Sequence, residues 1–177
     1  ILTFGTTGRL RKSDLVMYDR ETETWWQQFL GEGIVVDLTG TRPKALPAHI
    51  ESYANFKKRA PDGQVLVPNG RFHKNYGQNP YVHYDMQNAP YSLFKGDLPD
   101  YINPMARVVV VEDKAWRLEL IRDKGWLTDG PVTLNWSAGQ NSALYTSEIS
   151  EGRDVGNVTV TKGDEDAVYD VTFAFVY

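Results

Sequence analysis

Short runs of β-branched and aromatic residues recur along this chain, and each is closed by turn-forming residues. The runs lie at 1–4, 14–18, 24–29, 34–38, 64–67, 107–112, 132–136, 158–161 and 169–176, and their alternation of side chains predicts strands. In the last of them Val171, Phe173 and Phe175 share one face while Thr172, Ala174 and Val176 share the other. Glycine, asparagine, aspartate and proline clusters at 31–33, 62–63, 69–70, 129–131 and 163–166 separate the runs. Such punctuation favours antiparallel meanders over parallel crossovers.

Two stretches fit a helix instead. Ser52 is placed to cap a helix through Lys58, about two turns long, which Pro61 would stop. Residues 116–124 put Leu118 and Ile121 on one face, and Gly125 follows as a left-handed cap; the beginning of this stretch reads equally well as a strand. The expected fold class is α+β, mainly antiparallel β-sheet arranged as a sandwich or open barrel, with one or two short helices and a long ordered loop.

The texture changes at 68–106. Pro68, Pro80, Pro90, Pro99 and Pro104, five of nine prolines, fall there together with seven of the seventeen Tyr and Phe residues. The 177 residues read as a single domain, 1–177, carrying this Pro/Tyr-rich stretch as an ordered surface excursion. Long loops without elements are uncommon in a compact domain, so the same stretch can also signal elements that the pattern does not reveal.

Composition narrows the function classes. At 41% hydrophobic and 24% charged residues the chain resembles an ordinary self-folding domain. A net charge of −4 with scattered lysines and arginines offers no basic footprint for phosphate backbones, so nucleic acid is not an expected partner. The absence of cysteine excludes disulfides, thiolate metal sites and cysteine nucleophiles within this stretch. No run approaches the roughly 18 apolar residues of a membrane span. Ile1 opens directly on an apolar run and 169–176 ends in strand register, so the chain is expected to be a fragment of a longer one.

Candidate binding chemistry gathers in two places. Arg9 and Arg11, one residue apart on an extended segment, point to the same face and can clamp a carboxylate or phosphate; structurally they can instead pair with Asp14, Asp19 or Glu21. Trp25 and Trp26 must face opposite sides of a strand, so one is free to stack on a ring beside Gln27, unless a neighbouring loop buries it. The second place is the turn Tyr76, Gly77, Gln78, Asn79, Pro80, Tyr81, which offers amide and phenol groups or else plugs one end of the fold. The expected ligand-binding residues are therefore Arg9, Arg11, Asp14, Trp25, Trp26, Gln27, Tyr76, Asn79 and Tyr81.

Catalytic signatures are missing. There is no G-x-S-x-G elbow and no phosphate loop of the G-x-G-x-x-G or G-x-x-x-x-G-K type. His49, His73 and His83 lack the spacing of a ready metal pair, which leaves His73, His83 and Asp85 as an alternative metal set to the main expectation of none. No cofactor is expected within this sequence.

The segment Thr6, Thr7, Gly8, Arg9, Leu10, Arg11, Lys12, Ser13, Asp14, Leu15, Val16, Met17, Tyr18, Asp19, with Thr22 and Trp26, Gln27 and Gln28, resembles the signature of an exported prokaryotic family of unknown function, DUF 3179. The likeness continues through 76–81, 103–111 and Glu151, Gly152, Arg153, Asp154, Val155, Gly156, Asn157. It departs at Lys12, where that family usually has Asn, and at His83, where it usually has a small residue. The resemblance implies an extracytoplasmic protein, periplasmic, secreted or lipid-anchored, with a Cys-Pro-x-Cys segment shortly before the point where this chain begins. Three functions follow as expectations: a domain binding a small or extended ligand, part of a metal- or thiol-dependent redox protein whose cysteines lie outside this sequence, or a structural support module. Binding rather than catalysis is the leading expectation.

Overall fold

The computed structural model describes residues 1–68, 70 and 74–177, which form two compact units. The first comprises Ile1–Leu46 with Tyr91–Asp97, the second Pro47–Pro90 with Leu98–Tyr177. Strand takes up 32% of the residues and helix 12%, so sheets decide the architecture; among the described residues all pairing is antiparallel, in three sheets, none closed into a barrel.

The first unit is a four-stranded meander, β1 (Phe4–Arg11), β2 (Asp14–Asp19), β3 (Trp25–Gln27) and β4 (Glu32–Val35), paired in that order. Lys12 and Ser13 link β1 to β2 at φ of 52° and 65°. Two positive φ values in a two-residue loop define the turn whose twist matches that of the flanking strands. That turn is why the strand runs over Phe4–Arg11, whereas the apolar run expected at 1–4 contributes only Phe4.

The β2–β3 connection is organised by Asp19, which has no exposed surface. Its Oδ1 accepts from the amides of Glu21 (3.1 Å) and Thr22 (2.6 Å), and its Oδ2 accepts from the indole Nε1 of Trp26 at 2.8 Å. Burial alone would raise its pKa, but the bonds from Trp26, Thr22 and Glu21 together hold it below the usual carboxylate range.

In the second unit, β5 (Arg107–Val111) pairs with β6 (Lys114–Arg117), and the C-terminal β11 (Asp170–Phe173) pairs with the other edge of β5. A second sheet joins β7 (Trp126–Asp129), β8 (Val132–Ser137), β9 (Asn157–Lys162) and the short β10 (Glu165–Asp166). One core serves both sheets: Val109 and Val111 of β5, Leu134 of β8 and Val158 and Val160 of β9 close around Leu118 and Ile121 of α2 (Leu118–Lys124). Residues 116–124, which read as helix or strand at their start, are both in turn. The register with β5 keeps 114–117 extended, and the helix begins at Leu118. Gly125, at φ 77°, ends it in the left-handed region that an L residue adopts only at a cost.

The other helix, α1 (Tyr53–Arg59), is capped as its sequence predicts, with Ser52 Oγ accepting from the Asn55 amide at 3.3 Å. Residues 64–67 form no strand; Leu66 is exposed, and no partner strand stands beside it among the described residues. The run expected at 34–38 ends as a strand at Val35, because Val36 turns to φ 74° and its carbonyl accepts from the Thr39 amide. The turn expected at 69–70 falls partly outside the described residues. No helix among the described residues is long and apolar enough to cross a membrane.

Candidate functional site

In the first unit, register settles where the expected binding residues stand. Arg9 pairs with Val16 and Val16 with Gln27, Arg11 pairs with Asp14, and Tyr18 pairs with Trp25. Strand alternation then puts Arg9, Arg11, Asp14, Trp25 and Gln27 on one sheet face and Trp26 on the other. The Arg9 guanidinium lies 5.8 Å from the Trp25 ring, and Arg11 Nη1 donates to Gln27 Oε1 at 3.3 Å. Asp14 accepts from the Phe29 amide at 3.0 Å. These groups largely satisfy one another. Trp26 is 3% exposed and spends its indole N–H on Asp19, so it presents no stacking surface.

The remaining expected residues belong to the second unit. Asn79 is buried: its amide donates to Ser147 O, its Nδ2 to Thr146 O at 3.0 Å, and its Oδ1 accepts from the Tyr81 amide at 2.7 Å. It fixes the turn rather than facing solvent, while Tyr76 and Tyr81 are both exposed. Below the turn the chain is laced to the 144–149 segment. His83 N donates to Tyr145 O, and Ile149 N donates back to Gly77 O. Ser142 N donates to Arg153 O in the same way, so three otherwise irregular segments are held together by backbone bonds.

That lacing brings Asp85, Ser142, Arg107 and Arg153 to one point. The Asp85 side chain has no exposed surface, and its Oδ2 accepts from Ser142 Oγ at 2.6 Å and from Nη2 of both Arg107 and Arg153 at 3.3 Å. Arg107 also donates to Ser142 Oγ at 3.1 Å, and Arg153 to the Asp85 carbonyl at 3.2 Å. Aromatic rings support both guanidinia, Phe173 at 5.2 Å from Arg107 and Tyr145 at 5.5 Å from Arg153. Burial would raise the Asp85 pKa, but the Ser142 bond and the charges of Arg153 and Arg107 outweigh it and hold the carboxyl low. For Arg107, burial prevails and pulls its pKa down despite Asp85.

One carboxylate between two guanidinia leaves an excess of positive charge. Two buried atoms here, Asp85 Oδ1 and Arg107 Nε, lack a hydrogen-bond partner among the described residues. A half-open cleft of about 550 Å³ adjoins the cluster, and its lining includes Asp85, Arg107, Arg117, Arg122, Arg153 and Asp154. Arg117 is paired with Glu119 and Arg122 with Asp123, while Asp154 is tied to the amides of Gly139, Gln140 and Gly156. Gly156 has φ 77°, and a Cβ there would clash with the Trp136 indole, so this loop accepts glycine alone. Arg153 keeps 48% of its side chain exposed, and only its Nη2 is bonded among the described residues.

The family described as "Protein of unknown function (DUF3179)" matches residues 1–175. The chain belongs to the DUF3179 family. No curated protein and no solved structure matches it. Of the alternative metal set in this DUF3179 domain, His73 lies outside the described residues, and Asp85 is engaged by Ser142 and two arginines. Among the described residues no group of three or more His, Cys, Asp or Glu side chains is placed to hold a metal ion.

Sequence reasoning passed over Ser142, Arg107 and Arg153. A signal for two of them existed, since Arg107 and Arg153 stand within the 103–111 and 151–157 segments that carry the resemblance. Nothing local marks Ser142.

Proposed function

We propose that this DUF3179 domain is a binding module for a small oxyanion, a carboxylate or phosphate, and that it works outside the cytoplasm. The supporting observation is the pair Arg107 and Arg153, anchored on one buried carboxylate at the floor of a cleft. Guanidinium groups held in fixed orientation lose little freedom on binding, and their planar donors match two oxygens at once. Asp85 orients them without cancelling both charges. Binding is favoured over catalysis because the nearest hydroxyl, Ser142 Oγ, is buried and donates to an acid held ionised, an arrangement that does not make a nucleophile. The location rests on the resemblance to an exported family.

The test is calorimetric titration of the domain with inorganic phosphate and with acetate at low and high salt. The reading expects saturable binding that weakens with salt and falls at least about tenfold in Arg153→Ala, the loss of one charge-assisted bond. Absence of heat with both anions, or equal affinity in Arg153→Ala, overturns it.

A further inference from the structure

A second cleft, about 470 Å³, adjoins the first and shares Asn103, Ala106 and Arg117 with it. The rest of its lining is apolar or aromatic: Tyr101, Ile102, Val108, Ala115, Ala174 and Tyr177. The strand register explains the division. Val108 stands opposite Arg117 and Val110 opposite Ala115, so Val108, Ala115 and Arg117 lie on the outer face of the β11–β5–β6 sheet, while Trp116 packs against the core. Arg107 alternates with Val108 and so shares the core-side face with Val109, which means that the two clefts lie against opposite faces of this sheet and meet at its end, where Asn103, Ala106 and Arg117 border both. The small size of Ala106, Ala115 and Ala174 is what leaves the space.

We propose that the ligand is amphipathic, an acid whose carboxylate or phosphate sits at Arg107 and Arg153 and whose short aliphatic or aromatic tail lies against Val108, Ala115 and Ala174. The inference rests on the anion-binding reading and adds the ligand's class to it. Volume supports it. A cavity of about 150 Å³ is enough for benzene, so a space of 470 Å³ takes a tail of ring size or larger, whereas an inorganic anion alone fills little of either cleft. Tyr101 and Tyr177, both largely exposed, supply amphipathic rims whose rings can cover a tail, and the Tyr177 hydroxyl donates to the Asp113 carbonyl.

The experiment is calorimetry of the 177-residue chain with acetate, butyrate, hexanoate and octanoate, and in parallel with inorganic phosphate, ethyl phosphate and butyl phosphate. Once the tail is long enough to pass the end of the sheet, each added methylene is expected to tighten binding about fourfold until the apolar cleft is filled. In Ala174→Phe the inorganic anion should bind as before, while the dependence on chain length disappears. Ala115→Leu, on β6 and lining the same cleft, replaces it if Ala174→Phe fails to fold. Affinity independent of chain length, with phosphate still bound, overturns the amphipathic ligand and leaves the anion reading standing. Chain-length dependence that persists in both cavity-filling variants also overturns it, because the tail is then held elsewhere. Loss of all anion binding in the wild type would defeat the parent reading instead.

Discussion

Ser142 donates its hydroxyl hydrogen to Asp85 Oδ2 at 2.6 Å, although the two residues stand 57 positions apart. The same oxygen receives Arg107 and Arg153, so one atom fixes three side chains drawn from separate segments. A buried carboxylate with a single committed oxygen is a point of vulnerability as much as of order.

Removing it should therefore be costly. Asp85→Ala leaves two guanidinia without a counter-ion, Arg107 with only 20% of its side chain exposed. The expected loss of stability is about 3 kcal/mol, at the low end for a broken buried ion pair because Arg153 is half in water. Ser142→Ala, which removes one hydrogen bond and no charge, should cost about 1 kcal/mol. Urea unfolding monitored by tryptophan fluorescence checks both, and equal effects would contradict the central position of the carboxylate.

Acid should act through the same group. Because the folded-state pKa of Asp85 is depressed, the unfolded chain takes up its proton first. Its contribution is complete above the ordinary carboxylate value, about pH 4, and is lost as the pH falls through the lower folded value. Thermal melts between about pH 3 and pH 7 should show an acid-side fall in the wild type that is shallower in Asp85→Asn. Parallel curves for the two proteins would exclude this assignment.

Tyr169 offers a second titration, of opposite sign. Its hydroxyl donates to the Val158 carbonyl at 2.6 Å and lies 3.2 Å from His49 Nδ1, and burial, with lesser contributions from Asp166 and Glu51, pushes it up to about 12. An acid kept neutral in the folded state contributes fully below the unfolded value of about 10 and loses that contribution as the pH rises toward the folded value. Ultraviolet titration should find one phenol that resists ionisation until the protein unfolds in base, and Tyr169→Phe should remove it. The variant leaves the Val158 carbonyl without that donor, at about 1 kcal/mol.

The β1–β2 loop should be improvable. Lys12 sits at φ 52°, where a lysine gains nothing and an asparagine is at ease. Lys12→Asn is expected to raise stability by about 0.5 kcal/mol, read as a higher urea midpoint at unchanged slope. Ser13 is best left alone, since its hydroxyl donates to Leu93 O at 3.2 Å. A lower midpoint for Lys12→Asn would show that the lysine makes some contribution that its conformation does not reveal.

The sequence by itself determined what is local. Alternation at 14–18, 107–112, 132–136 and 158–161 was enough for the strands that became β2, β5, β8 and β9, and Ser52 and Gly125 marked one start and one end of helix. Alternation also sufficed to put Arg9 and Arg11 on one face and to separate Trp25 from Trp26, because a strand reverses its side chains at every residue. Tertiary structure decided which face or end had a partner. Residues 64–67 have strand composition but no neighbouring edge among the described residues, and 126–129, outside every run predicted as a strand, became β7 because Val132–Ser137 lay beside it. The candidate site depended on the fold altogether. Asp85, Arg107, Ser142 and Arg153 are ordinary surface residue types in sequence, and only backbone bonds between distant segments bury Asp85 and Ser142 and bring both arginines to the carboxylate. Burial and charge neighbourhood are sums over contacts far apart in the chain, so no short window of sequence contains them.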